Sequence, residues 1–341
     1  MKFTRILFFF IVMVCSLCCS HRSEQSLVRI GYFPNITHAQ AVIGFSQGRH
    51  DFQSGFGSSV SVESKLFNAG PSVIEALFAN EIDIAYIGPN PAINGFIKSN
   101  GIALRIIAGS MSGGAILVAR EGLIIQLPSD WRGKKIASPQ LGNTQDIALR
   151  YYLQQQGIKT KEYGGETTVL PTQNPDILSL MQLKEIDGAW VPEPWGARLI
   201  HEAHASMVLD ERTLWPDQKF VTTNIIVRAE FLRQHSDMVK KFLEVHFKLT
   251  EWIKNNGEEA KGIINAELQH LTGKALSKEV INEAWSRVEP TCDPLKNTLF
   301  MSADRAFVLG FLGKEKPVLD SLYSLDLLNQ VLSDNNKSII Q

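Results

Sequence analysis

Glu185-Ile186-Asp187-Gly188-Ala189-Trp190-Val191-Pro192-Glu193-Pro194-Trp195 has a partner 104 residues earlier, Glu81-Ile82-Asp83-Ile84-Ala85-Tyr86-Ile87-Gly88-Pro89-Asn90-Pro91. At that offset Pro71 falls on Pro175, Glu81 on Glu185, Ile82 on Ile186, Asp83 on Asp187 and Ala85 on Ala189. In each copy a Pro opens a helical pattern over residues 72–80 or 176–184. An acidic turn follows, then a short apolar run at 84–87 or 189–191, then a Pro-rich break. Helix, short β-rich strand and loop, twice over, imply crossover connections and parallel strands. The pattern predicts two similar α/β lobes. Ligands of open parallel sheets sit outside the carboxyl ends of the strands, where both Pro-rich breaks lie. One ligand between two facing strand-end loops is the expectation.

The rest of the composition agrees with a folded, two-domain chain. Its 341 residues can bury a large core, and 44% hydrophobic with 20% charged residues is ordinary for globular proteins. A net charge of −1 gives no basic bias toward nucleic acid. Residues 1–19 read as an export signal: Lys2 and Arg5, an apolar run over 6–14, then Ser16, Cys18 and Cys19. The run is too short for an ordinary membrane span. Leu17-Cys18-Cys19 resembles a bacterial lipoprotein box with Ser16 in place of the usual Leu, so lipidation of Cys19 is expected, with plain cleavage after Ser20 as the alternative. Apart from an acylated Cys19, the mature body keeps only Cys292, which excludes a disulfide framework.

Strands are expected at 27–31, 59–67, 104–108 and 115–119, the last two flanking a small-residue loop over 109–114. Residues 134–137 open the second lobe as 28–30 open the first, and 167–170 continues it. From Glu230 onward five amphipathic runs (236–255, 258–270, 278–287, 299–312, 325–332) are expected to cover the first lobe and to carry no chemistry. The first lobe is assigned 27–113 and 224–341, the second 114–223.

Four loops have the composition of a polar site. Pro34, Asn35, Thr37 and His38, and likewise Asn143, Thr144 and Gln145, put hydroxyl, amide and free N–H groups at a helix start. Gly88 and Asn90, and Ser112, Gly113 and Gly114, allow close backbone approach. The plainer reading of the same residues is helix capping. Trp190 is expected in the core. Trp195 is expected to wall a pocket, with Tyr32 and Phe33 facing it from the other lobe. Glu193 has three readings: partner of a ligand cation, bridge between lobes, or cap of the next helix. Hydrolase, nucleotide-loop and dinucleotide motifs are missing, and His201 with His204 make a weak metal pair, so no catalytic residue, metal or cofactor is expected.

In order along the chain, Gly31-Tyr32-Phe33-Pro34-Asn35, Phe67-Asn68-Ala69-Gly70-Pro71, Asp83 to Pro91, Leu141-Gly142-Asn143-Thr144-Gln145-Asp146 and Trp190 to Trp195 resemble the nitrate/sulfonate/taurine class of substrate-binding proteins of ABC importers. The resemblance implies a type II periplasmic-binding-protein fold, with mixed or parallel sheets, helices on both faces and a hinge of two crossover strands near 114–119 and 221–227. It places the cleft on the four loops above together with Glu193 and Trp195. It implies an exported, lipid-anchored monomer that binds a small oxyanion, taurine-like sulfonate first, and delivers it to a permease and an ATPase. Nitrate, bicarbonate or a thiamine-pyrimidine precursor are the alternative ligands. A pyrimidine-synthase-like enzyme or a receptor module are the alternatives in kind.

Overall fold

The structure, a computed structural model, describes residues 26–341. The export signal and Cys19 lie outside the described residues. Eleven strands among the described residues form two sheets. They are β1 Ser26–Tyr32, β2 Val60–Leu66, β3 Ile84–Ile87, β4 Leu104–Gly113, β5 Ala115–Ala119, β6 Lys135–Pro139, β7 Thr168–Thr172, β8 Gly188–Pro192, β9 Ser206–Asp210, β10 Val221–Arg228 and β11 Val288–Pro290. The first sheet has the order β11-β4-β10-β3-β1-β2 and the second β7-β6-β8-β5-β9.

The duplicated segment is the matching part of the two sheets. β1 pairs in parallel with β2 and β3, as β6 pairs in parallel with β7 and β8. Each trio is flanked by an antiparallel strand from elsewhere in the chain: β10 beside β3, β5 beside β8. The chain passes from one sheet to the other at Gly114, between β4 and β5, and returns through residues 211–220. Both sheets are thus mixed, and helices cover both faces of each. Apolar clusters lie on either side of the first sheet, centred on Val28, Ile30 and Phe242 and on Ile87, Ile93 and Leu299. The second sheet is sandwiched likewise, by Ile177 and Leu199 on one face and Trp131, Leu149 and Trp190 on the other.

Two segments differ from the sequence reading. Residues 109–113 are strand, not loop. β4 runs on to Gly113 because β10 and β11 pair with it, Val221 opposite Ser112 and Pro290 opposite Met111. The C-terminal helices do more than cover the first lobe. Lys278–Trp285 packs on the second-lobe helix Trp195–Ala203, and Lys296–Val308 packs on Thr144–Gln155, so the two clasp the second lobe from both flanks.

Gly113 and Gly114 sit at φ +72° and +76°, a backbone shape that side chains disfavour. A Cβ on Gly113 would come within 2.5 Å of Arg287 O, and one on Gly114 within 2.5 Å of Val288 Cγ1. These glycines serve the crossing between sheets and the seating of β11. Glu193 N donates to Gly114 O at 2.9 Å and Thr222 Oγ1 to Gly113 O, so both lobes are tied to this point.

The core contains two fully neutral histidines. His246 donates from Nε2 to Gly109 O (3.0 Å) and accepts at Nδ1 from Tyr86 OH (3.0 Å). Burial pushes His246 down to about 3 and His38 likewise to about 3, from an ordinary value of 6.5. The unfolded chain therefore takes up these protons first as pH falls below 6.5, and stability is lost from there down toward pH 3. Each histidine adds a slope of about 1.4 kcal/mol per pH unit within that window. His246→Gln should flatten the acid side of a urea-denaturation profile between pH 6 and 4 by about one proton's slope. An unchanged profile would contradict this account.

Candidate functional site

The loops at the strand ends of the two sheets face each other and meet. Trp195 Nε1 donates to Asn35 Oδ1 at 3.2 Å, and Asn68 Nδ2 to Gln173 Oε1 at 3.5 Å, across the divide. Gly88 lies against Thr144: a Cβ on Gly88 would strike the Thr144 hydroxyl. Between these contacts is a polar chamber of about 30 Å³. The first lobe lines it with Asn35, Thr37, His38 and Gly88, and the second with Asn143, Thr144 and Gln145. An outer recess of about 270 Å³ adjoins it, lined by Pro34 and Trp195 among others. The two share Phe33, Asn35, Asn68 and Asn174.

Two helices begin at the chamber. Pro89–Lys98 starts after Gly88, and Thr144–Gln155 after Asn143. Thr144–Gln155 offers its leading N–H groups there, whereas the Pro89-Asn90-Pro91 start of the other helix has Asn90 as its one free leading N–H. Both dipoles favour an anion, with no cationic side chain among the described residues that line the space. Asn143 makes no side-chain cap bond, although its type and position suggested one. Thr144 Oγ1 and Asn174 Oδ1 are buried and lack any hydrogen-bond partner among the described residues. A buried polar atom left unpaired costs about 1–3 kcal/mol, so these two lining atoms stand out. His38 accepts at Nδ1 from Phe33 N at 3.3 Å, with its ring against Phe33. Its proton then resides on Nε2, and the ring, held neutral by burial, is a donor.

Five sequence-predicted residues line neither space. Asn90 is buried and donates to Ser302 O at 3.4 Å. Ser112, Gly113 and Gly114 belong to β4 and the crossing. Glu193 faces away: it pairs with Arg287 Nη1 at 2.6 Å and accepts from Ala197 N at 2.9 Å. Of its three readings it fulfils two, bridging the lobes and capping Trp195–Ala203, and it offers nothing to a ligand cation. Tyr32 likewise does not face Trp195, because it is buried and stacked on Phe45 at 5.4 Å. Trp190 is core, its Nε1 donating to Glu211 at 2.7 Å.

Sequence reasoning missed Asn68, Asn174, Thr222 and Thr223, which line the chamber. Asn174-Pro175 is a helix-start pair, and that signal could have found it. Thr222 and Thr223 sit in a β-branched run with no local mark. Among the described residues no group of three or more His, Cys, Asp or Glu could hold a metal ion, and His201 pairs instead with Glu283.

Two lobes built on mixed sheets, closing on a polar chamber at their strand ends, define a two-lobe periplasmic-binding-protein fold. The NMT1-like family model matches residues 21–266, and the chain belongs to that family. The taurine-binding periplasmic protein of Escherichia coli is 26% identical over 185 residues, covering 54% of this chain and 55% of the relative. A putative aliphatic sulfonates-binding protein of Bacillus subtilis is 26% identical over 237 residues, 68% of this chain and 65% of the relative. Among solved structures, the alkanesulfonate-binding protein SsuA of Xanthomonas axonopodis, bound to MOPS, superposes with a TM-score of 0.70. It is 17% identical, covering 88% of this chain and 98% of that one, a likeness of fold. Among the described residues no helix is long and apolar enough to cross a membrane.

Proposed function

We propose that this protein is the extracytoplasmic solute-binding component of an ABC importer, that it encloses a small oxyanion of the sulfonate class between its lobes, and that it is not an enzyme. One observation carries the reading. Two helix N-termini from opposite lobes converge on one chamber whose lining is hydroxyl, amide and neutral imidazole, with Thr144 Oγ1 and Asn174 Oδ1 unpaired. Such a lining suits an anion dispersed over several oxygens, each taking an N–H or O–H. Each helix end contributes about 0.3–1 kcal/mol when exposed and up to ~2 when partly buried. The ligand shifts an open–closed equilibrium toward the closed form by touching both lobes, and the permease and ATPase partners act on that form. The chain is exported through residues 1–19, and Cys19 carries the lipid anchor.

The test is a thermal-shift series on the mature chain with an alkylsulfonate, nitrate, bicarbonate, a phosphonate and a pyrimidine. Binding to the native state alone stabilises by about 2.7 kcal/mol at a hundred times Kd. The sulfonate should raise Tm most, and Thr144→Val should reduce that rise while leaving the unliganded Tm in place. A pyrimidine giving the larger rise, or a Thr144→Val protein with the full sulfonate response, would overturn the assignment.

A further inference from the structure

If the oxyanion sits in the inner chamber, the body of the ligand extends into the outer recess. Phe33, Phe67, Trp195, Leu268 and Leu276 give that recess its apolar walls, and its uncharged polar lining is Asn35, Asn68, Asn174 and Thr272. The charged side chains in it are two cations, Arg198 and Lys274, and among the described residues no carboxylate lines either the recess or the inner chamber. Both cations are held by Glu202, at 2.8 Å from Arg198 Nε and 2.7 Å from Lys274 Nζ, so that acid is engaged outside the lining. The Arg198 guanidinium lies 4.5 Å from the centre of the Trp195 ring, so one face of that ring already carries a cation. Glu193, the acid nearest to Trp195 in the chain, is fully buried against Arg287.

Resting on the sulfonate reading above, we infer that the site selects sulfonates with an uncharged alkyl or aryl body and rejects aminosulfonates. An ammonium two carbons from the sulfonate falls at the neck between the two spaces, among Phe33, Trp195 and the amides of Asn35, Asn68 and Asn174. Asn35 Oδ1 already accepts from Trp195. Asn174 Oδ1 has no partner among the described residues and can accept from a hydroxyl. An ammonium brings three N–H groups and a charge, loses its water, and meets two cations at the rim. A methyl at the same place meets aromatic and aliphatic walls.

Three ligands of equal length separate these cases: propane-1-sulfonate, 2-hydroxyethanesulfonate and 2-aminoethanesulfonate, measured by calorimetry on the mature chain at pH 7. The first two should bind, and the amine should bind at least tenfold more weakly than either. Lys274→Glu, on the exposed rim, should narrow that ratio by placing an anion there. Amine affinity equal to or above the other two overturns the inference and leaves the sulfonate reading intact. Binding by none of the three overturns both.

Discussion

Arg287→Met lowers the stability of the protein by about 3–5 kcal/mol at neutral pH, the range for stripping the partner from a buried ion. Glu193 is fully buried and the Arg287 side chain is 7% exposed, with Nη1 2.6 Å from the carboxylate. The other guanidinium nitrogen, Nη2, binds Glu283, which keeps His201 as a second partner after the change. Methionine fills much of the volume but leaves Glu193 with Ala197 N as its remaining donor. The pH dependence has a definite sign. Burial raises the Glu193 carboxyl above its ordinary value, and Arg287 pulls it back. A native value above the unfolded one means that the native state holds the extra proton between the two, so stability falls as pH rises through that window. Without Arg287 the window extends upward. The deficit of the variant should therefore be largest near pH 8 and shrink toward pH 5, read from urea midpoints at constant m-value. Adding Glu193→Gln should recover most of the loss, because the amide oxygen still accepts from Ala197 N and no charge remains. A deficit under about 1 kcal/mol at pH 7 would show that the pair is not held apart from water.

That ion pair also marks where sequence stops informing. The repeat at an offset of 104 residues placed β3 and β8 and the Pro-rich ends facing one cleft, because helix periodicity, acidic turn and apolar run are all local signals. Glu193 is oriented by a residue 94 positions away, and no local pattern encodes that distance. The same holds for residues 109–113. Their small side chains look like loop, yet Gly109 N donates to Cys292 O at 2.8 Å and the partner strands fix the rest. At the candidate site the helix-start chemistry of Asn35, Thr37, His38, Asn143 and Thr144 was legible, as were the small residues at Gly88. Thr222 and Thr223 were not, because inside a strand a threonine facing a chamber has the same local context as one facing a sheet neighbour. Gly113 and Gly114 were legible as glycines but ambiguous in purpose. Close approach to β11 uses the same residue type as close approach to a ligand.

Gly88→Ala should weaken sulfonate affinity about 10–100-fold, a loss of about 1.4–2.7 kcal/mol of preference for the closed form, without harming the unliganded protein. Gly88 has φ −68° and ψ 156°, a conformation that alanine adopts freely. Within the first sheet the added methyl would meet Thr222 O, on β10, at 3.7 Å, ordinary contact. The collision is with Thr144 Oγ1, across the cleft, and it exists when the lobes are closed. Reducing the freedom of the unfolded chain stabilises by about 0.4–1 kcal/mol at such a position, so the unliganded Tm should hold or rise slightly. Closure bears the cost, because the methyl and the hydroxyl compete for one space at the point where ligand oxygens are expected. Thr144→Ser in the same chain should restore part of the affinity, since a serine hydroxyl turns aside more easily than that of the β-branched threonine. Small-angle scattering reports the mechanism directly: ligand should contract the parent protein and fail to contract Gly88→Ala at the same concentration. Undiminished affinity with normal contraction would place the closing contact elsewhere. A fall in unliganded Tm of many degrees would assign Gly88 a packing role within its own lobe, with no part in how the lobes meet.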